Sequence, residues 1–297
     1  MARIGVVGLG AMGGGMARAC LAAGHMTHGF DIDPAREAAF QGEGGAAGSR
    51  AEAASGLDIL VLVTLNAAQA EEVLFGEAGL AGAMRKGAAV ICCPTVSPDA
   101  ARAMAARCAD LGLLYLDAPI SGGAAKARAG KLTILASGAP EAFAAARPAL
   151  DAMAETVFEL GDEAGPGSAM KAINQMLVGT HIAAAAEALV FGMTQGVDPE
   201  KTIEIISKCA GTSWAFENRM PHVAKGDYTP LSAVDIWLKD LGIVLDIAGK
   251  AKFGAPLTAA ALQQFIAASG SGLGREDDAA VAKVYARNAG VALPGAK

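Results

Sequence analysis

The stretch Arg3–Gly13, RIGVVGLGAMG, sets an apolar, β-type run directly in front of a G-x-G-x-x-G loop. Arg3–Val7 reads as a strand, a helical pattern then runs to near Gly24, and a second β-rich run, Met26–Asp31, follows. In that context each glycine has a task. Gly8 permits the tight turn, Gly10 lets a pyrophosphate approach the backbone, and Gly13 lets the helix pack on the strand. The N–H groups opening the helix are then free to hold the anion. A glycine loop alone says little in a chain with 38 glycines; the order strand, loop, helix, strand makes it a dinucleotide site. Gly8, Leu9, Gly10, Ala11, Met12 and Gly13 are the candidate cofactor-binding residues. Asp31, at the end of the second strand, would accept hydrogen bonds from the adenosine ribose hydroxyls and repel a 2′-phosphate, which favours NAD over NADP. Asp33 reads as the cap of the helix that Pro34 opens. No arginine adjoins Asp31 in sequence, although Arg36 could swing in.

Working outward, short β-rich runs alternate with helical patterns at Ile59–Thr64, Ala88–Cys92 and Leu114–Ala118, with further strands at Leu132–Ser137 and Thr156–Glu159. That rhythm predicts a doubly wound parallel sheet. Ile59–Thr64 is apolar on both faces, as a central strand covered on both sides should be. After about Gly161 the pattern becomes helical. One long helix is predicted from Pro166 to Gly196, with others starting at Asp198-Pro199, over Val234–Ala251, at Ala255-Pro256 and at Glu276-Asp277-Asp278. The predicted organisation is an α/β Rossmann-type domain over 1–162 and an all-helical domain over 163–297.

The 297 residues are 53% hydrophobic and 18% charged, which allows two buried cores and argues against disorder. A net charge of −6 without a basic cluster removes the electrostatic footprint of nucleic-acid binding. The five cysteines, Cys20, Cys92, Cys93, Cys108 and Cys209, have no C-x-x-C spacing. They read as reduced, mostly buried thiols of a cytoplasmic protein, neither a disulfide framework nor a zinc site. The N-terminus lacks the pattern of a signal peptide, and no segment is expected to have the apolar length to span a bilayer.

Two further segments carry chemistry. Asp117–Gly123, DAPISGG, sits where a strand ends, the edge at which open α/β sheets bind ligands. Ser121 with the amides of Gly122 and Gly123 would suit a carboxylate, though the same residues would also make an ordinary strand exit. On the long helix, Lys171 is followed at i+3 and i+4 by Asn174 and Gln175, with His181 a heptad beyond Asn174, on an otherwise apolar helix that should be largely buried. Burial lowers a lysine's pKa toward neutrality, which suits a general acid/base; the alternative is a lysine snorkelling to the surface beside a structural amide pair. His181 and His222 read as polar contacts, since neither has metal-ligand spacing around it.

Four segments in order, GLGAMGGGMA at Gly8–Ala17, DAPISGG at Asp117–Gly123, GPGSAMKAINQ at Gly165–Gln175 and KDLGIVLDIA at Lys239–Ala248, resemble the β-hydroxyacid dehydrogenase family, which includes 3-hydroxyisobutyrate dehydrogenase and tartronate semialdehyde reductase. The resemblance runs the length of the chain. It implies an N-terminal Rossmann domain, a long interdomain helix, and a helical C-terminal domain that mediates dimers or tetramers. It also implies NAD-dependent oxidation of a small hydroxycarboxylic acid, with Lys171 as the catalytic lysine and Ser121, Gly122 and Gly123 holding the substrate carboxylate. Asn174 and Gln175 would contact substrate. Leu65, Thr95 and Lys239 would contact the cofactor, the last two at its nicotinamide end, with Asp240 orienting Lys239. The chain departs from the family in having Gln175 where an asparagine is common and Ala19 where an asparagine is frequent. The strings at Lys171–Ala188 and Ser213–Pro230 are similar to the branch acting on a polyhydroxy four-carbon acid. Trp214, Phe216, Glu217 and Asn218 would either line the active site or pack within the helical domain. A reading from another class is a dinucleotide sensor without catalysis, which would have little need of Lys171, Asn174 and the serine-glycine loop together.

Overall fold

The computed structural model describes residues 1–295, and the chain divides into two compact units that meet in sequence at Lys171 and Ala172. In the first unit, β1 (Arg3–Val7), β2 (Met26–Phe30), β3 (Ile59–Leu62), β4 (Ala89–Cys92) and β5 (Leu114–Asp117) form a parallel sheet in the order β2-β1-β3-β4-β5. The helices between them are α1 (Ala11–Ala22), α2 (Pro34–Gly42), α3 (Arg50–Ala54), α4 (Ala67–Phe75) and α5 (Pro98–Asp110). All four residues of β3 are buried. The period-2 alternation sends Ile59 and Val61 into a core with Ile4, Met16 and Leu150, and Leu60 and Leu62 into the opposite core with Leu74, Val90 and Met104. Full burial of each such side chain stabilises by roughly 1.5–3 kcal/mol. The apolar run expected for a central strand therefore serves two cores.

The later strands do not extend that sheet. β6 (Ile120–Ser121), β7 (Leu132–Ala136) and β8 (Ala154–Glu159) form a second sheet, β6 antiparallel and β8 parallel to β7, with α6 (Gly123–Arg128) and α7 (Pro140–Met153) between them. The break has a local cause. Ala118 N still donates to Cys92 O at 2.9 Å, but Pro119 has no N–H with which to continue that ladder. The Pro119 carbonyl accepts instead from Leu135 N at 2.9 Å, which steers the chain onto β7.

α8 (Pro166–Thr194) is the long helix expected, ended by Gly196 at φ +76°. The second unit continues with α9 (Pro199–Ile206), α10 (Trp214–Lys225), α11 (Val234–Lys250), α12 (Pro256–Ala268) and α13 (Ala282–Ala289). Asp198 caps α9 by accepting from Lys201 N. The acidic Glu276-Asp277-Asp278 segment opens with a 3₁₀ turn, Asp278–Val281, before α13 begins. Contrary to the expectation that no segment has the length to span a bilayer, α8 is long and apolar enough by length and composition. The reason lies in packing: Ile182, Ala186, Leu189 and Val190 enter the core of the helical unit beside Trp237, Leu241 and Phe265, which demands an apolar helix.

Candidate active site

The cofactor candidates of the first unit gather along the carboxyl edge of the main sheet, while Lys239 lies on α11 of the helical unit. Gly8 follows β1, Asp31 follows β2, Leu65 lies beyond β3 and Thr95 beyond β4, so one edge presents all four. The glycines are required by contact. Gly8 has φ +95°, and a Cβ there would stand 2.5 Å from the Val63 carbonyl oxygen. A Cβ on Gly13 would stand 1.8 Å from the Gly8 carbonyl oxygen. Gly10 differs, because nothing but the Arg36 guanidinium, at 3.8 Å, approaches its Cβ position. Gly10 is also the N-cap of α1 and supplies no side chain to the first-turn N–H groups. An open backbone surface at a helix N-terminus, walled by two glycines that cannot carry side chains, fits the pyrophosphate of a dinucleotide. Ala11, Met12 and Gly13 form that first turn. Leu65 is exposed, Thr95 is half-buried, and both sit in loops.

Asp31 is tied to this loop. Its Oδ2 accepts from Leu9 N at 2.6 Å and its Oδ1 from Asp33 N at 2.9 Å. Burial pushes its carboxyl up, but those two N–H groups and the Arg36 guanidinium outweigh burial and hold it below the ordinary range. No arginine adjoins Asp31 in sequence, but Arg36, left open as one that could swing in, does so. The first turn of α2 brings Arg36 back to 3.5 Å from both Asp31 and Asp33, a proximity that sequence adjacency does not reveal. Asp33 caps α2 through Ala35 N, as expected.

The second cluster is centred on Asp117, a residue quoted in a motif above without a role. It ends β5 at 1% exposure. Its Oδ2 accepts from Gly165 N at 3.0 Å and Ser168 N at 2.8 Å, and its Oδ1 from the Ser168 hydroxyl at 2.6 Å. Burial raises its pKa above the ordinary value, and the surrounding donors oppose that rise. Gly167 presses between the strands: a Cβ there would meet the Leu135 and Asp117 carbonyl oxygens at 2.5 and 2.6 Å. β5 thus fastens the first turn of α8. One turn on, Lys171 is 9% exposed, and its Nζ donates to the Ile120 carbonyl at 2.9 Å. That carbonyl immediately precedes Ser121, Gly122 (φ +130°) and Gly123 (φ +75°), and nothing stands within 4 Å of a Cβ placed on Gly123. Residues 51 apart in sequence, an amine and an open glycine loop, are thereby brought together.

In the helical unit, Asn174 Nδ2 donates to Gln175 Oε1 at 2.9 Å, and Gln175 Nε2 donates to Asp240 Oδ2 at 2.5 Å. Lys239 Nζ lies 2.6 Å from Asp240 Oδ1, so Asp240 holds both the amide and the ammonium. The extra methylene of Gln175 supplies its reach to Asp240. His181 is exposed, and His222 Nδ1 lies 3.7 Å from Asp277 Oδ1. Phe216 is a core residue of this unit, Glu217 accepts from the Thr212 hydroxyl at 2.8 Å, and Asn218 bonds Arg219. The Arg219 guanidinium stands 5.5 Å from the ring of Trp214, which is largely exposed. Among the described residues no group of His, Cys, Asp and Glu could hold a metal ion.

Comparison with known proteins agrees with this architecture. Residues 3–161 match the sequence family described as the NAD binding domain of 6-phosphogluconate dehydrogenase. Residues 165–285 match the one described as NAD-binding of NADP-dependent 3-hydroxyisobutyrate dehydrogenase. The chain is 51% identical to an L-threonate dehydrogenase of Cupriavidus necator over 98% of both chains. It is 44% identical to one of Haemophilus influenzae over 98% of this chain and 96% of that one. A crystal structure described as a 3-hydroxyisobutyrate dehydrogenase of Salmonella typhimurium superposes with a TM-score of 0.90 at 47% identity, covering 96% of this chain and all of that one. Matched over both halves by these family models and over nearly its whole length by these relatives, the chain belongs to the 3-hydroxyisobutyrate dehydrogenase-like family of NAD-binding oxidoreductases.

Proposed function

We propose that the chain oxidises L-threonate to its 2-oxo acid, with NAD as oxidant and Lys171 as the general base. The names of the relatives at 44–51% identity support the substrate. The observation that carries the lysine's role is the 2.9 Å bond from Lys171 Nζ to the Ile120 carbonyl, which holds the amine beside the Ser121–Gly123 loop. The Ser121 hydroxyl and the amides of Gly122 and Gly123 bind the substrate carboxylate. Lys171 keeps one N–H on Ile120 O, and its lone pair takes the proton of the substrate hydroxyl. Fixing the nitrogen in this way removes its freedom before the reaction begins. Gly8–Gly13 would hold the pyrophosphate of NAD and Asp31 its adenosine ribose, and the bound cofactor would supply a two-electron acceptor for the carbinol carbon. Leu65, Thr95 and Lys239 contact the cofactor, while Asn174 and Gln175 face the substrate hydroxyls. In the reductive direction the lysine returns the proton.

Residues 1–162 serve as the NAD-binding domain and residues 163–297 as the substrate and oligomerisation domain of a cytoplasmic homodimer or homotetramer. A second reading, 3-hydroxyisobutyrate as substrate, is favoured by the description of the Salmonella structure and by a 35% identical Pseudomonas aeruginosa relative of that name. The deciding experiment follows cofactor reduction by absorbance with L-threonate, glycerate and 3-hydroxyisobutyrate, with NADP run beside NAD, in wild type and Lys171→Ala. L-Threonate with NAD is expected to give the highest kcat/KM. The alanine variant should lose at least about 100-fold in turnover with NAD affinity unchanged. Near-wild-type turnover in that variant would overturn the lysine's role, and a preference for 3-hydroxyisobutyrate would overturn the substrate.

A further inference from the structure

Packing within the helical unit uses only one face of α8. Ile182, Ala186, Leu189 and Val190 enter the core, yet only 39% of the helix's most apolar stretch is buried. Ile173, Leu177, His181, Ala184, Ala188 and Phe191 are exposed, and their steps of four, four, three, four and three residues keep them on one stripe. At 3.6 residues per turn that stripe lies roughly opposite the core residues. Its three large apolar side chains, Ile173, Leu177 and Phe191, are 53%, 51% and 65% exposed. One exposed apolar residue is ordinary, but a helix apolar on two opposite faces belongs between two covers.

The stripe matches itself when reversed. Leu177 and Phe191 each lie seven residues from Ala184, on either side of it, and His181 and Glu187 each lie three. Two copies of α8 crossing antiparallel, with a two-fold axis at Ala184, therefore set Leu177 against the partner's Phe191 and His181 against the partner's Glu187, and each contact occurs twice. The second pairing is complementary: an imidazole N–H donates to a carboxylate. Glu187 also bonds the Tyr285 hydroxyl of α13, which anchors that carboxylate. A parallel pairing would instead set Glu187 on Glu187, with like charges in contact.

We propose that this face of α8 is the contact between two copies of the chain, antiparallel about Ala184. The inference deepens the oligomer assigned under Proposed function and rests on it. Ile173 to Phe191 spans about 27 Å at 1.5 Å per residue, and the outer half of a helix about 11 Å across presents roughly 450 Å² over that length. That is more than half of the ~800 Å² per partner in a standard interface. Val197, exposed and folded back beside Gly192, extends the apolar surface at one end. A lipid surface fits less well, because a helix lying in a membrane interface carries Lys and Arg along its polar side, whereas residues 172–200 contain neither.

The test is sedimentation equilibrium of the full-length protein, with circular dichroism to show that each variant folds. Wild type is expected as a dimer or an even multiple of it. Phe191→Asp should weaken the association at least about 100-fold with helical content unchanged. His181→Glu should weaken it about tenfold, and adding Glu187→Lys to it should restore it. Oxidative cross-linking then reads the register in a Cys209→Ser background, which removes the exposed native thiol. Ala184→Cys should link to its own copy, while Leu177→Cys and Phe191→Cys should link only when the two variants are mixed. A wild-type monomer, including one that sediments with phosphatidylglycerol vesicles, would overturn the oligomer and this contact together. An oligomer that persists in Phe191→Asp, or Leu177→Cys linking to itself, would overturn this contact alone. The substrate assay reads the catalytic assignment independently of both.

Discussion

The Ser168 hydroxyl donates to Asp117 Oδ1 at 2.6 Å across 51 residues of sequence, and the Ser168 backbone N–H adds a second bond to the other oxygen at 2.8 Å. The start of α8 is therefore fixed by a side chain of the parallel sheet, three residues before Lys171. Asp117→Ala would leave the Gly165 and Ser168 donors buried and unpaired, at about 1–3 kcal/mol each. Chemical denaturation should show a loss of several kcal/mol, and turnover should fall in the fraction that stays folded. Asp117→Asn keeps one acceptor for the two N–H groups and can donate to the Ser168 oxygen, so it should lose less than about 1.5 kcal/mol. Equal losses in the two variants would refute the staple.

Gly10 and Gly13 should separate cofactor binding from folding. Gly13→Ala drives a methyl to 1.8 Å from the Gly8 carbonyl oxygen, and overpacking of this kind destabilises by about 1–3 kcal/mol or more. Gly10 sits at φ −63°, which alanine adopts freely, and it has only the Arg36 tip within 4 Å. Gly10→Ala should keep the wild-type Tm and lose most NAD affinity in calorimetry, since the new methyl occupies the surface read here as the phosphate cradle.

Asp31 gives a pH signature. Its folded pKa is below the ordinary 3.8, so the unfolded chain binds its proton more readily than the folded one. The stabilisation from its bonds to Leu9 and Asp33 is therefore present above that ordinary value and is lost as pH falls through the lower, folded one. The Tm difference between wild type and Asp31→Asn should stay constant from neutrality to about pH 5 and close only below about pH 4. A gap that closes near neutrality would place the effect on another group.

Gln175 and Asp240 form the corresponding link in the helical unit. Removing the amide in Gln175→Ala leaves a nearly buried Asp240 oxygen without its 2.5 Å donor, a loss of about 1–3 kcal/mol in denaturant unfolding. Gln175→Asn shortens the reach and should fall between alanine and wild type. If asparagine matched wild type, the extra methylene would have no structural task.

Much of this was legible in the chain. The strands of the main sheet, the long helix and the caps at Asp33 and Asp198 follow from short-range periodicity and from residues acting on near neighbours. Lys171 stood out because a charged side chain interrupts an apolar helix. What was hidden depends on residues far apart in sequence. Asp117 to Ser168, Lys171 to the Ile120 carbonyl, and Gln175 to Asp240 each join positions 51 to 65 residues apart, and no local pattern marks such pairs. The departure of β6, β7 and β8 into their own sheet depends on where Pro119 interrupts a ladder, which only the register reveals. For Arg36 the sequence left open only that it could swing in; the first turn of α2 returns it to Asp31.

Four of the five thiols are buried, and burial lifts Cys20, Cys92 and Cys108 to about 12 and Cys93 well above its ordinary value, while Cys209 lies at the surface. A maleimide added near pH 7 meets almost no thiolate at the first four positions. The native chain therefore offers one attachment point for a fluorophore or spin label in the helical unit without any cysteine being engineered in or out.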